Sequence, residues 1–126
     1  MKSKKQPFIS NRIDSLKYAV FGVIHLIKTE KAIQVHCVSI CILCLFGYHL
    51  NISNTEWMFQ FIAMGLVISI ESLNTAIEKI ANFIQPNFDE KIAIIKDISA
   101  GAVLFAGIFG ALTIAFIYIP KLIYFL

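Results

Sequence analysis

Glu71-Ser72-Leu73-Asn74-Thr75-Ala76-Ile77-Glu78 lies inside an otherwise apolar segment of membrane length. At 100° per residue, Glu71, Asn74, Glu78 and Asn82 fall within about 80° of one another on a helix. A carboxylate at the centre of a spanning helix costs about 3 kcal/mol even on the lenient insertion scale, so the stripe must face protein, water or a ligand. The bland alternative is an interhelical polar contact that only holds helices together. Two glutamates seven residues apart point to a cation or a proton acceptor more than to packing.

The rest of the chain agrees with a membrane setting. Of 126 residues, 58% are hydrophobic and only 15% are charged, too apolar for a soluble domain of this size. The length allows one domain, residues 1–126. Net charge is +3, and seven of the eleven basic residues stand in the first 31 positions: Lys2, Lys4, Lys5, Arg12, Lys17, Lys28 and Lys31. Residues 1–10 are expected to be flexible. They do not read as a secretory signal, because no apolar core or small-residue cleavage site follows at the right distance. Cys37, Cys41 and Cys44 follow an i, i+4, i+7 spacing. No second ligand cluster completes a metal site, so they read as small membrane-buried hydrophobes.

Residues 11–28 read as an amphipathic surface helix. Ile13, Leu16, Val20, Val23, Ile24 and Ile27 span an arc of about 100°, and Arg12, Lys17, His25 and Lys28 lie off it. Such a helix rests in the headgroup layer, its basic residues drawn to anionic lipid. Three spanning segments follow, at about 32–50, 56–84 and 98–119, with Pro120 expected to end the last. Each can cross a hydrocarbon core that needs roughly 20 residues. The fold class is therefore all-α and integral to the membrane.

The link 51–55 carries no Lys or Arg, whereas the N-terminal region and the link 85–96 do. The positive-inside rule puts the N-terminus and the 85–96 link in the cytoplasm; Lys121 dissents. Trp57, Tyr118 and Tyr124 suit the outer interfacial belt. If the second segment enters near Thr55, about ten residues reach the midplane near Gly65 and about ten more the inner interface near Thr75. Glu71 then sits just inside the hydrocarbon boundary and Glu78 just outside it.

That placement suits a reaction joining a lipid group to a water-soluble one. A carboxylate partly withdrawn from water is the better proton acceptor, which favours Glu71 as general base. Asn74, one turn away, can orient it or hold a substrate hydroxyl. Glu78, near water, can hold a hard cation through oxygen, and Glu30, at similar depth, offers a second carboxylate. Lys96 and Asp97 open the third segment at the same level, placed to neutralise and orient phosphate. No P-loop or kinase glycine-rich loop is present, so any nucleotide must occupy a different kind of site.

The 71–78 stretch resembles the signature of the bacterial diacylglycerol kinase family, which includes the undecaprenol kinases. Arg12-Ile-Asp-Ser15-Leu-Lys17-Tyr18-Ala19-Val-Phe-Gly22 resembles that family's surface helix. Thr29-Glu30 with Gln34 and His36 resembles the start of its first spanning helix, and Lys96-Asp97-Ile-Ser-Ala100-Gly101-Ala102-Val103 the start of its third. The resemblance implies a small three-helix lipid kinase of the bacterial inner (cytoplasmic) membrane, forming homotrimers with sites shared between subunits. Its partners would be ATP, a membrane lipid and itself, with no nucleic acid. By matching position it implies Glu71 as proton acceptor and Glu30 and Glu78 as Mg²⁺ ligands. Arg12, Tyr18, Glu30, Glu78, Asn87, Asp89, Lys96 and Asp97 would contact ATP. Asn74, Ala100 and Ser15 would lie against the lipid, either diacylglycerol or undecaprenol. The run Ala100-Gly101-Ala102-Val103 and Pro86 lean toward the undecaprenol kinases. Where the family usually has Asp four residues after the second Glu, this chain has Asn82 and loses that charge; Asn87 and Asp89 also match weakly.

Two other classes compete: a small ion-coupled transporter or channel using the glutamates as a cation path, and a non-catalytic assembly subunit. A transporter needs polar residues across the full depth. Here Trp57 to Ile70 is apolar except for Gln60 and Ser69, which favours interfacial chemistry. Gly101, Ala102, Ala106, Gly107, Gly110 and Ala111 are small enough for close helix approach, between subunits or within one.

Overall fold

The computed structural model describes residues 7–126. Four helices are described: α1 (Phe8–Thr29), α2 (Lys31–His49), α3 (Asn54–Ile84) and α4 (Glu90–Phe125). No strand occurs among the described residues. The expected flexible stretch lies partly outside them, at 1–6; residues 8–10, also expected to be flexible, are helical. α2, α3 and α4 are each long and apolar enough to cross a membrane. α3 packs most extensively on α4, α2 packs on α3, and α1 touches α2. No residue of α1 is buried, so it leaves the bundle as an arm.

A single residue separates the arm from the bundle. Glu30, extended at φ −106° and ψ 113°, ends α1 and begins α2. Its neighbour Gln34 donates from Nε2 to the Ile27 carbonyl at 2.9 Å, which satisfies one of the carbonyls a helix end leaves open.

The α2–α3 hairpin is tight. Asn51 adopts a left-handed φ of 51°, a conformation its short polar side chain tolerates, and the Ile52 N–H closes on the Gly47 carbonyl at 3.1 Å. Ser53 then opens α3 through a capping box. Its hydroxyl accepts from Glu56 N at 3.2 Å, and its own N–H donates to Glu56 Oε2 at 2.7 Å. α3 therefore begins at Asn54 rather than near Glu56. Gly47 permits the close approach of the two helices: a Cβ there would lie 2.9 Å from both Ile52 Cδ1 and Trp57 Cη2.

α4 departs furthest from the sequence reading. Asp89 accepts from Lys91 N at 2.9 Å and Ile92 N at 3.1 Å, an N-cap that starts the helix about two turns before Ile98. Nor does Pro120 end it; the helix passes through Pro120 to Phe125. At 1.5 Å per residue, the 31 residues of α3 and 36 of α4 reach about 46 and 54 Å, against a hydrocarbon core of about 30 Å. Both helices are longer than the core is thick.

At the hairpin end, Ile52, Ile117 and Tyr118 form a buried cluster flanked by Leu43, Leu50, Trp57 and Ile114. Tyr118, expected in the interfacial belt, instead turns inward. Its hydroxyl donates to Gln60 Oε1 and lies 3.0 Å from the Leu43 carbonyl, while Gln60 Nε2 donates to that same carbonyl at 3.3 Å. Lys121 pairs with Glu56 at 3.2 Å, which explains why a lysine is tolerated on the side where basic residues are otherwise missing.

Candidate functional site

The polar stripe of α3 faces α4 and α2 at the end opposite the hairpin. Asn74 is buried and central: its Oδ1 accepts from Ser99 Oγ of α4 at 2.7 Å, and its Nδ2 donates to Glu78 Oε1 at 3.4 Å. The amide thus spends one side on the helix seam and uses the other to orient a carboxylate. One turn toward the hairpin, the Glu71 side chain is 13% exposed, with Oε2 3.9 Å from His36 Nε2 of α2. Two turns the other way, Lys96 Nζ donates to Asn82 Oδ1. Glu30 reaches α3 from the α1–α2 junction, its Oε1 3.2 Å from Lys79 Nζ, which places that carboxylate beside the turn carrying Glu78.

From His36 an apolar groove runs toward the hairpin end, lined by Leu43, Met64, Val67, Gly110 and Ile114 among others. His36, which faces Glu71, therefore joins the polar seam to the apolar groove. Gly110 contributes directly, since a Cβ there would lie 2.9 Å from Val67 Cγ2.

Other residues singled out in the sequence stay apart from this seam. Arg12, Ser15 and Tyr18 are exposed on the arm; Arg12 stacks over the Phe8 ring at 4.9 Å, and Ser15 Oγ bonds the Asn11 carbonyl at 2.9 Å. Asp97 and Ala100 are exposed on α4, and Asn87 is exposed in the link. Asp89 is engaged as the α4 cap. The three cysteines carry free thiols, Cys41 at the surface and Cys37 and Cys44 partly buried. Of the small residues on α4, Ala106 and Gly110 pack within the chain, whereas a Cβ on Gly101 or Gly107 would meet open space.

Sequence reasoning did not identify Ser99 or the pairing of His36 with Glu71. The signal for Ser99 was its position three residues after Lys96, one turn along the same face of a helix. For His36 the linear sequence offered none, because the contact crosses helices.

Among the described residues, no group of three or more His, Cys, Asp or Glu side chains is gathered as a metal site. Mg²⁺ does not require one: it is commonly held by one or two carboxylates together with substrate phosphates and water. Glu30 and Glu78 fit that demand in kind, being hard oxygen donors near the exposed end of the seam.

Three spanning helices around a seam of carboxylates, amides and a lysine define a multi-pass membrane protein whose ionisable groups gather at one end. The family model described as "Prokaryotic diacylglycerol kinase" matches residues 17–118. The chain belongs to that family and is a lipid kinase, with ATP implied as co-substrate. It is 32% identical over 108 residues to the undecaprenol kinase of Bacillus subtilis (strain 168), covering 86% of this chain and 88% of that protein. It is 28% identical over 98 residues to the diacylglycerol kinase of Haemophilus influenzae, covering 78% and 83%.

Proposed function

We propose that the chain transfers the γ-phosphate of Mg-ATP to the primary hydroxyl of a membrane lipid, and that undecaprenol is the preferred acceptor. The observation that carries this reading is the contact of the half-buried Glu71 with His36, the residue at which the apolar groove begins. A lipid hydroxyl at Glu71 would bring the start of its chain toward the groove lined by Leu43, Met64 and Val67. The preference for undecaprenol is supported by the higher identity and coverage with the undecaprenol kinase than with the diacylglycerol kinase.

In this reading Glu71 takes the hydroxyl proton as the lipid oxygen attacks phosphorus. Asn74, fixed by Ser99, holds Glu78 in place and lies against the lipid headgroup, with Ala100 and Ser15 along the same path. Lys96 and Asp97 receive the phosphates at the start of α4. Arg12 and Tyr18 of the arm and Asn87 and Asp89 of the link complete the nucleotide site. Glu30 and Glu78 would hold Mg²⁺, which would supply positive charge to offset that of the phosphates. Lys79 lies against Glu30.

The seam faces the cytoplasm of a bacterial inner membrane, a placement supported by the charge difference between the 51–55 and 85–96 links. The chain works as a homotrimer. The arm has no buried residue, and Gly101 and Gly107 face open space, surfaces that a neighbouring subunit can cover. A monomeric mass in active, detergent-solubilised protein would overturn the trimer. The function itself is tested by incubating purified protein with labelled Mg-ATP and undecaprenol or diacylglycerol in parallel. Labelled undecaprenyl phosphate should form faster. Faster labelling of diacylglycerol would reverse the lipid assignment, and no labelled lipid of either kind would refute the mechanism.

A further inference from the structure

We infer that Asn82 is the positioning residue of Lys96: it holds the ammonium group on the Glu78 face of α3 and leaves its full charge for a polyphosphate anion. The inference deepens the kinase reading and rests on it.

Lys96 Nζ crosses the helix seam to donate to Asn82 Oδ1. A lysine on a four-carbon stem has large rotamer freedom, so an unanchored ammonium group is a poorly placed charge. One hydrogen bond to an amide oxygen fixes it. The ammonium has three donors, so two remain for ligand oxygens. The amide has no net charge, and among the described residues no carboxylate lies within ion-pair distance of Lys96. Lys79, by contrast, is engaged by Glu30.

The surroundings give this neutrality a consequence. Glu30, Glu71, Glu78, Asp89, Glu90 and Asp97 all stand on this part of the chain, and a nucleotide tail approaching them meets like charge. A lysine held without a counter-charge offsets that repulsion. Aspartate at position 82 would accept the same hydrogen bond in nearly the same shape. It would also cancel the ammonium at short range and add a second negative charge one turn from Glu78. Geometry alone makes Asn and Asp equivalent at this position; charge makes them opposite.

The test exploits that difference. Asn82 is exposed, so substitutions there leave the helix packing untouched. Equilibrium binding of a non-hydrolysable Mg-ATP analogue to the full chain in nanodiscs is measured for wild type, Asn82→Ala and Asn82→Asp, with KM for ATP and kcat determined alongside. The expected order of affinity is wild type, then Ala, then Asp. Asp should be weakened by about tenfold and by less at high salt, the effect of one unit charge near a partly wet site. The change should fall on KM, with kcat within about threefold. In a Lys96→Met background the gap between Asn82 and Ala should close, because the partner is gone. Asp binding as tightly as wild type, or more tightly than Ala, would overturn the neutral-acceptor role. If wild type binds the analogue with the expected variant order but labels no lipid, the polyphosphate site stands and the lipid-kinase mechanism fails. Wild type that binds no analogue would overturn both.

Discussion

At the hairpin end, Gln60, Tyr118 and the Leu43 carbonyl bond to one another, and Gln60 is 0% exposed. At the other end of the bundle, Glu71 meets His36 at 3.9 Å, Glu78 meets Asn74 at 3.4 Å, and Lys96 meets a neutral amide. Both regions put polar side chains between apolar helices. One closes its hydrogen bonds completely and so acts as a lock, since a satisfied buried network specifies a single packing. The other leaves charge only loosely engaged at its open end. In a bundle this small, the difference separates the part that holds the fold from the part that can bind and react.

The largest expected effect falls at the open end. Glu71→Gln keeps shape and hydrogen bonding but removes the base, so turnover should drop by about 10²-fold or more, the usual contribution of general-base catalysis. The unfolding midpoint should hold or rise, because a partly buried charge is gone. Near-normal turnover would remove Glu71 from the chemistry.

A smaller effect of the opposite kind is expected at the closed end. Tyr118→Phe keeps the ring in its cluster but leaves Gln60 Oε1 buried without its donor. Orphaning one buried acceptor costs about 1–3 kcal/mol, to be read as a lower unfolding midpoint in denaturant. Turnover of the folded protein should stay close to wild type. An unshifted midpoint would show that the cluster is not a lock.

The smallest effect concerns the cation. Glu30→Gln and Glu78→Gln should each raise the Mg²⁺ concentration for half-maximal activity several-fold, roughly the loss of one anionic oxygen ligand. Activity retained at unchanged Mg²⁺ dependence in both variants would point to other ligands.

The same contrast marks what the sequence made legible. Periodicity and apolar run length exposed the three spans, the short hairpin and the α3 stripe, because those are properties of one helix at a time. Apolar runs mark spans, whereas caps set where the helices themselves begin. Ser53-Asn-Thr-Glu56 is a capping box, and Asp89 caps α4 nine residues before Ile98. Contacts between helices were beyond reach. Nothing in the linear sequence says that Tyr118 turns to Gln60, that Lys121 finds Glu56, or that His36 flanks the stripe. Each depends on the register of two helices, which the packing sets.

The central claim is that the chemistry resides at the open end and the stability at the closed one. The direct measurement is the initial rate of phosphate transfer from Mg-ATP to lipid by Glu71→Gln and Tyr118→Phe, side by side, at a temperature where both are folded. Glu71→Gln is expected to lose about 10²-fold or more while Tyr118→Phe runs near the wild-type rate. Equal losses in the two variants, or transfer at the wild-type rate by Glu71→Gln, would contradict it.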